Sequence, residues 1–201
     1  MAPTGQGHPE PPPPSAGHRS TEDLVAGLEH VRRSPFDDGT LEMVVCRPAE
    51  DARQVLDHGR LDPAEGLVGD SWHARGSRST ADGSADPEDQ LTIMNSRLAT
   101  LVAGTADHGG LAGDQLYVDL DLSADHLPAG TCLQIGEAVV EITAKPHRGC
   151  AKFAARFGND ALRFVNTGQG LLLNLRGRNA RVIVAGTVRP GDAVRRVILE
   201  D

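Results

Sequence analysis

Aromatic side chains are rare in this 201-residue chain, where one Trp, one Tyr and four Phe make up 3% of the total. Single-stranded nucleic-acid binding normally stacks bases on aromatic faces, so this scarcity argues against a nucleic-acid partner. It also leaves the core to Val, Leu, Ile and Ala. Cysteine is sparse too. Cys46, Cys132 and Cys150 are too few and too scattered for a disulfide scaffold, and a reduced, cytoplasmic protein is the economical expectation. No run of about 18 apolar residues exists, so no membrane-spanning helix and no membrane partner are expected. Residues 1–20 lack the basic start and apolar stretch of a secretory signal.

What is present suits one globular domain. Hydrophobic residues make up 39%, and 23 Gly bring the apolar share into the ordinary globular range of roughly 45–50%. Residues 1–20 hold six of the 13 Pro and almost nothing that packs. They are expected to be a disordered tail, followed by a single domain over residues 21–201. The net charge of −8 is unevenly spread, because residues 145–189 carry nine Lys or Arg against a single acid, Asp160. A basic segment in an acidic chain suggests a local anion site, although a solvated basic face would give the same count.

The first helix is expected from Thr21, with Ser20 and Asp23 at its cap and Leu24, Leu28 and Val31 on one face, ending before Pro35. Residues 41–47 read as a strand and 50–58 as a short helix. Residues 66–70 form a turn, and 74–89 a polar loop long enough to be mobile. A strand over 90–94 runs into a helix over 96–102. Leu116, Val118, Leu120 and Leu122 alternate with Tyr117, Asp119 and Asp121, the period of a half-buried strand. Residues 131–135 and 138–143 flank Gly136-Glu137 as a hairpin. Residues 151–156 and 160–166 look helical, with Gly158 stopping the first. Residues 180–188 and 192–199 close the chain as strands around Pro190-Gly191. About seven strands with irregularly placed helices do not give the alternation of a parallel sheet. A mainly β fold with peripheral helices, a barrel-like α+β single domain, fits best.

The stretch with the most chemistry is 145–158, KPHRGCAKFAARFG. A strand ends at Pro146, and Cys150 falls at the start of a predicted helix, where unpaired N–H groups and the macrodipole stabilise negative charge. Arg148 and Lys152 flank it, and His147 is near. Such surroundings lower a thiol pKa from about 8.5 into the range of roughly 3.5–7.5. A thiolate is what ligates a soft metal or carries and transfers sulfur. Gly149 would let a ligand approach the backbone closely. Cys46 and Cys132 lie within strand candidates and read as core. His147 and Cys150 are half of a zinc site with no second pair at suitable spacing. Arg156 and Arg163 offer guanidinium forks to a phosphate or are helix-surface charge, and Arg176, Arg178 and Arg181 stand the same way. Asp70 and His73 line a pocket, or are a turn residue and an exposed His. Gly104 and Gly109-Gly110 are not followed by the Lys-Ser/Thr of a phosphate loop, and no nucleophile-elbow motif is present.

Residues 146–158 resemble the cysteine motif of MOSC domains, the module named after the C-terminal part of molybdenum cofactor sulfurases. Residues 66–70 (GLVGD) are similar to that family's early glycine/aspartate turn. Residues 111–114 (LAGD) with the strand after them are similar to its loop and strand before the cysteine, and 179–188 with Gly191-Asp192 to its closing strand and turn. The resemblance spans residues 41–197 and implies a mixed β-barrel with peripheral helices. It further implies binding of a molybdenum–pterin cofactor, or handling of sulfur destined for it. Cys150 would be the catalytic thiol and the metal ligand. His147, Arg148, Gly149, Lys152, Arg156, Gly69, Asp70 and Arg181 would hold the cofactor. Some members reduce N-hydroxylated compounds. Three dispersed Cys cannot ligate an iron–sulfur cluster, so that role implies a separate electron-donor protein, as a carrier role implies a sulfur donor. Pyridoxal phosphate belongs to the family's fusion partners and is not expected within this chain. The alternatives are a non-catalytic module that binds or delivers the cofactor, and a Cys-dependent transferase or hydrolase acting on an acidic small molecule.

Overall fold

Helix α1 (Thr21–Arg32) starts where its capping residues place it. Ser20 Oγ accepts the Asp23 backbone N–H, and the Asp23 carboxylate accepts the Ser20 N–H. This reciprocal cap satisfies donors that a first turn otherwise leaves free. Leu24, Leu28 and Val31 form its buried stripe. The computed structural model describes residues 17–199, so most of the expected tail, residues 1–16, lies outside the described residues.

Strand β1 (Gly39–Cys46) is followed by the short strands β2 (Gln54–Leu56), β3 (Gly59–Asp62) and β4 (Gly66–Leu67). Residues 50–58, expected to be helical, are instead a turn and β2, which pairs with the end of β1 as Val44↔Leu56 and Cys46↔Gln54. Asp51 takes a left-handed φ of 58°, which stops a right-handed helix at its second residue. Helix α2 (Trp72–Arg75) is a single turn. The loop after it ends in a 3-10 turn, Pro87–Asp89, and is pinned rather than loose. Lys145 Nζ donates to Asp86 at 2.8 Å and also pairs with Asp89, while Thr80 Oγ1 donates to the Ser84 carbonyl at 2.6 Å.

Strand β5 (Leu91–Asn95) runs straight into α3 (Ser96–Ala103), whose Leu98 N–H is capped by the Asn95 side chain. A 3-10 helix (Ala106–Ala112) leads to β6 (Leu116–Asp119). β6 lies parallel to β5, and a long crossover through a helix is what such pairing requires. The expected alternation fails in β6, where Leu116, Tyr117 and Val118 are all fully buried. Both faces of this strand are covered, one by the barrel interior and one by the helical layer. The Tyr117 hydroxyl resolves its own burial by accepting the Asp114 N–H and donating to the Gly110 carbonyl.

β7 (Cys132–Ile135) and β8 (Ala138–Ile142) form the expected hairpin. Helix α4 (Ala151–Asn166) is broken at Gly158, whose φ of 91° and ψ of 164° are non-helical, as the sequence predicted. Helix α5 (Gln169–Leu172), β9 (Arg178–Val184), β10 (Gly186–Val188) and β11 (Ala193–Val197) complete the described chain. Residues 180–188 are therefore two strands in different sheets, because β10 leaves β9 to pair with β3.

Among the described residues, seven strands close into a mixed barrel in the order β1-β11-β7-β8-β9-β5-β6 and back to β1. Leu41, Val44, Ile93, Leu116, Leu133, Val140 and Val182 fill its interior. Helices α1, α3 and α4 cover one outer face and bury Leu24, Met94, Leu98, Tyr117, Phe153 and Phe157. Each such side chain contributes roughly 1.5–3 kcal/mol by leaving water. This is the mainly β, mixed-barrel α+β fold that the sequence implied. No helix among the described residues is long and apolar enough to cross a membrane.

Candidate functional site

Two ion pairs with buried carboxylates lie beside the end of β1. Arg47, the residue after that strand, presents its fork to Asp70, with Nε to Oδ2 at 2.9 Å and Nη2 to Oδ1 at 3.0 Å. Its Nη1 reaches the Gly113 carbonyl at 3.0 Å, which ties three segments together. The fully buried Asp70 side chain also accepts the backbone N–H groups of Arg47 and Trp72. The second pair is Asp114 with Arg176. Arg176 Nη1 donates to both oxygens of Asp114, at 2.9 and 2.7 Å, and Nη2 donates to the Ala112 carbonyl. The Arg176 guanidinium also sits 5.1 Å from the centre of the Phe153 ring.

His147 joins the second pair. Its Nδ1 is buried 3.5 Å from Asp114 Oδ1, too far for a good hydrogen bond. Burial, reinforced by Arg176 and opposed by Asp114, pushes its pKa down to about 3. The imidazole is therefore neutral near pH 7.

Three residues later stands Cys150, the N-cap of α4, exposed and free. Its sulfur makes no capping hydrogen bond to the first turn. The segment is held from below by Asn166, which accepts the Gly149 N–H at 2.9 Å and donates to the Gly149 carbonyl at 3.0 Å. A Cβ at Gly149 would meet Leu162 Cδ1 at 2.8 Å. Gly149 thus packs closely on side chains of α4.

A cleft of about 880 Å³ reaches this region at Arg47 and Lys152, while Cys150, His147, Asp114 and Arg176 are not among its lining residues. Arg47, Glu50, Asp51 and Arg53 line it from the segment after β1, Arg75 and Arg78 from α2 and its loop, and Lys152 from the turn that Cys150 caps. Lys152 Nζ donates to Glu50 at 2.7 Å and Asp51 at 3.0 Å, and Arg156 Nη2 donates to Asp51 at 3.2 Å. Arg75 and Arg78 are exposed cations with no carboxylate partner among the described residues.

The expected site residues thus fall into groups. His147, Gly149, Cys150, Lys152 and Arg156 share one region, with Arg148 exposed between them and Arg176 approaching from the segment before β9. Asp70 joins it through Arg47. Gly69 has a φ of 89° and serves the turn before Asp70. Arg181 points elsewhere, pairing with Glu141 at 2.8 Å and Glu88 at 3.7 Å. Sequence reasoning did not single out Arg47, Arg75, Arg78, Glu50, Asp51 or Asp114 as site residues. The two Gly-Asp turns carried a partial signal, since an aspartate among apolar residues needs a cation, but its partner is distant in sequence in both cases.

A seven-stranded mixed barrel carrying a cysteine at a helix start beside a cationic cleft defines a recognisable class. The MOSC domain model matches residues 84–195, more than half of the chain, and the chain belongs to the MOSC domain family. Among solved structures it is similar to the YuaD protein from Bacillus subtilis, at 16% identity and a TM-score of 0.56, over 81% of this chain and 97% of that one. It is also similar to YiiM from Escherichia coli, at 19% identity and a TM-score of 0.51, over 81% of this chain and 71% of that one. At these identities the likeness is one of fold. No curated protein matches the chain.

Proposed function

We propose that this MOSC-family chain holds a molybdenum–pterin cofactor in the cationic cleft, with the Cys150 sulfur as the protein's ligand to the metal. The observation that carries this reading is the exposed, free Cys150 thiol on the same helical turn as the cleft-lining Lys152. The donor set fits such a group. The described residues offer no cluster of three or more His, Cys, Asp or Glu to hold a bare metal ion. A metal here would need ligands of its own, which a pterin dithiolene brings, and one soft protein sulfur suits it. Guanidinium forks match the oxygens of the pterin phosphate, and the cleft-lining Arg75 and Arg78 have no carboxylate partner among the described residues.

When bound, this cofactor supplies two-electron redox chemistry at its metal. The chain's own residues bind and orient. Arg47–Asp70 fixes one wall, Arg176–Asp114 holds the segment before β6, and Asn166 fixes the backbone that presents Cys150. Neutral His147 adds no charge to this segment. With electrons from a separate donor protein, reduction of an N-hydroxylated compound is the activity to assay, and delivery of the cofactor without turnover is the competing outcome. The test is metal and pterin analysis of protein purified from molybdate-replete cells, followed by turnover of an N-hydroxylated base with an artificial reductant. Molybdenum and pterin in matching amounts are expected. Protein free of both would contradict the reading.

A further inference from the structure

We infer that Glu50 and Asp51 act as a tethered anion that a phosphate-bearing ligand must displace, so that these two acids set the class of ligand the cleft admits. The inference rests on the reading of the cleft as an anion site, and uses neither Cys150 nor a metal. Lys152 lines the cleft, and Arg156 reaches the cleft-lining Asp51 from a neighbouring pocket; these are the α4 cations that departure of the acids would free, and both are already engaged. Lys152 bonds Glu50 at 2.7 Å and Asp51 at 3.0 Å, and Arg156 bonds Asp51 at 3.2 Å.

The acids are built to leave. Their side chains are 82% and 60% exposed, so water and salt weaken these pairs. Pro48 and Ala49 before them are exposed as well, and only Ala52 at the end of the turn is half-buried. Asp51 has a φ of 58°, a conformation that a residue with a Cβ keeps only where its surroundings enforce it. The turn that sets it is closed by the Ala52 N–H bond to the Ala49 carbonyl at 3.2 Å, so the backbone keeps its shape whether or not the two ion pairs are made. Arg156, in contrast, is built to stay. Arg156 Nη1 donates to the Leu111 carbonyl at 2.9 Å, independently of Asp51. Lys152 rides on the first turn of α4. A singly charged carboxylate ligand would exchange like for like with the internal acids. A phosphate group carries more charge and three acceptor oxygens, so it bonds both cations better than the acids do.

The experiment is calorimetric titration of the full chain with pyrophosphate at low ionic strength. Glu50→Gln/Asp51→Asn is compared with wild type, and the same pair of changes is repeated in a Lys152→Met/Arg156→Met background. Removing the internal competitor should tighten pyrophosphate binding about tenfold, the gain expected when a mostly closed site is opened. The gain should fall to about twofold or less where the two cations are gone, because nothing is left to release. Unchanged affinity, an equal gain in both backgrounds, or no pyrophosphate binding at all would overturn the inference. Should the four-residue variant fail to fold, Lys152→Met alone is the background. Protein purified without molybdenum that still shows the gain would sink the cofactor reading alone, and protein purified with molybdenum that shows no gain once metal and pterin are stripped would sink this one alone.

Discussion

A carboxylate taken out of water must find a cation, and Asp114 finds Arg176. Asp114→Ala leaves that guanidinium buried and unpaired, so it should cost about 3–5 kcal/mol, read from urea unfolding. His147 beside them gives a pH signature. Its folded pKa of about 3 lies below the ordinary 6.5, so between those values the unfolded chain holds the proton and the folded one does not. Its contribution to stability is complete above about pH 6.5 and is lost progressively as pH falls toward 3. His147→Gln should flatten melting temperature against pH in that window. Asp86, held down to about 2 chiefly by Lys145, adds a separate loss that begins only below its ordinary value of 3.8. The cysteines divide in the same way. Cys46 is buried, and Cys46→Ser should cost roughly 1–3 kcal/mol unless the hydroxyl finds a partner, whereas Cys150→Ser should leave the melting temperature unchanged.

The segment that carries Cys150 has no packing of its own at that residue and depends on the second half of α4. Asn166→Ala removes both bonds to the Gly149 backbone and should cost about 1–3 kcal/mol, with faster hydrogen exchange at the Gly149 amide as the local readout. Elements governed by neighbouring residues were legible in the sequence. The Ser20/Asp23 cap, the Gly136-Glu137 hairpin and the break at Gly158 are each decided within a few positions. β2 was not, because three residues carry no period and its pairing with β1 is decided by the turn at Asp51. β6 was misread for a different reason. Its alternation with aspartates suggested a wet face, whereas Tyr117 is covered by helices that only the tertiary fold brings there.

Ring closure sets the whole molecule, and it joins β1 to β11 through Gly39↔Val194, a pairing that no local pattern announces. Composition and period reached a mainly β, barrel-like domain, and the family resemblance implied the mixed barrel. The same limit applies to the site. Cys150, Lys152 and His147 sit within one short motif, but the cations and acids that surround them come from four other parts of the chain. At the N-terminus, removing residues 1–16 should leave the melting temperature unchanged, given their proline-rich composition. Removing residues 1–20 should lower stability by about 1 kcal/mol, since Ser20 caps α1. The most direct measurement is the molybdenum content, per folded protein, of Cys150→Ser against wild type, both purified from molybdate-replete cells. Wild type should carry molybdenum with pterin, and the variant, equally stable, should carry little or none. A variant that keeps the wild-type content, or a wild type without molybdenum, would contradict the assignment of Cys150 as the metal's protein ligand.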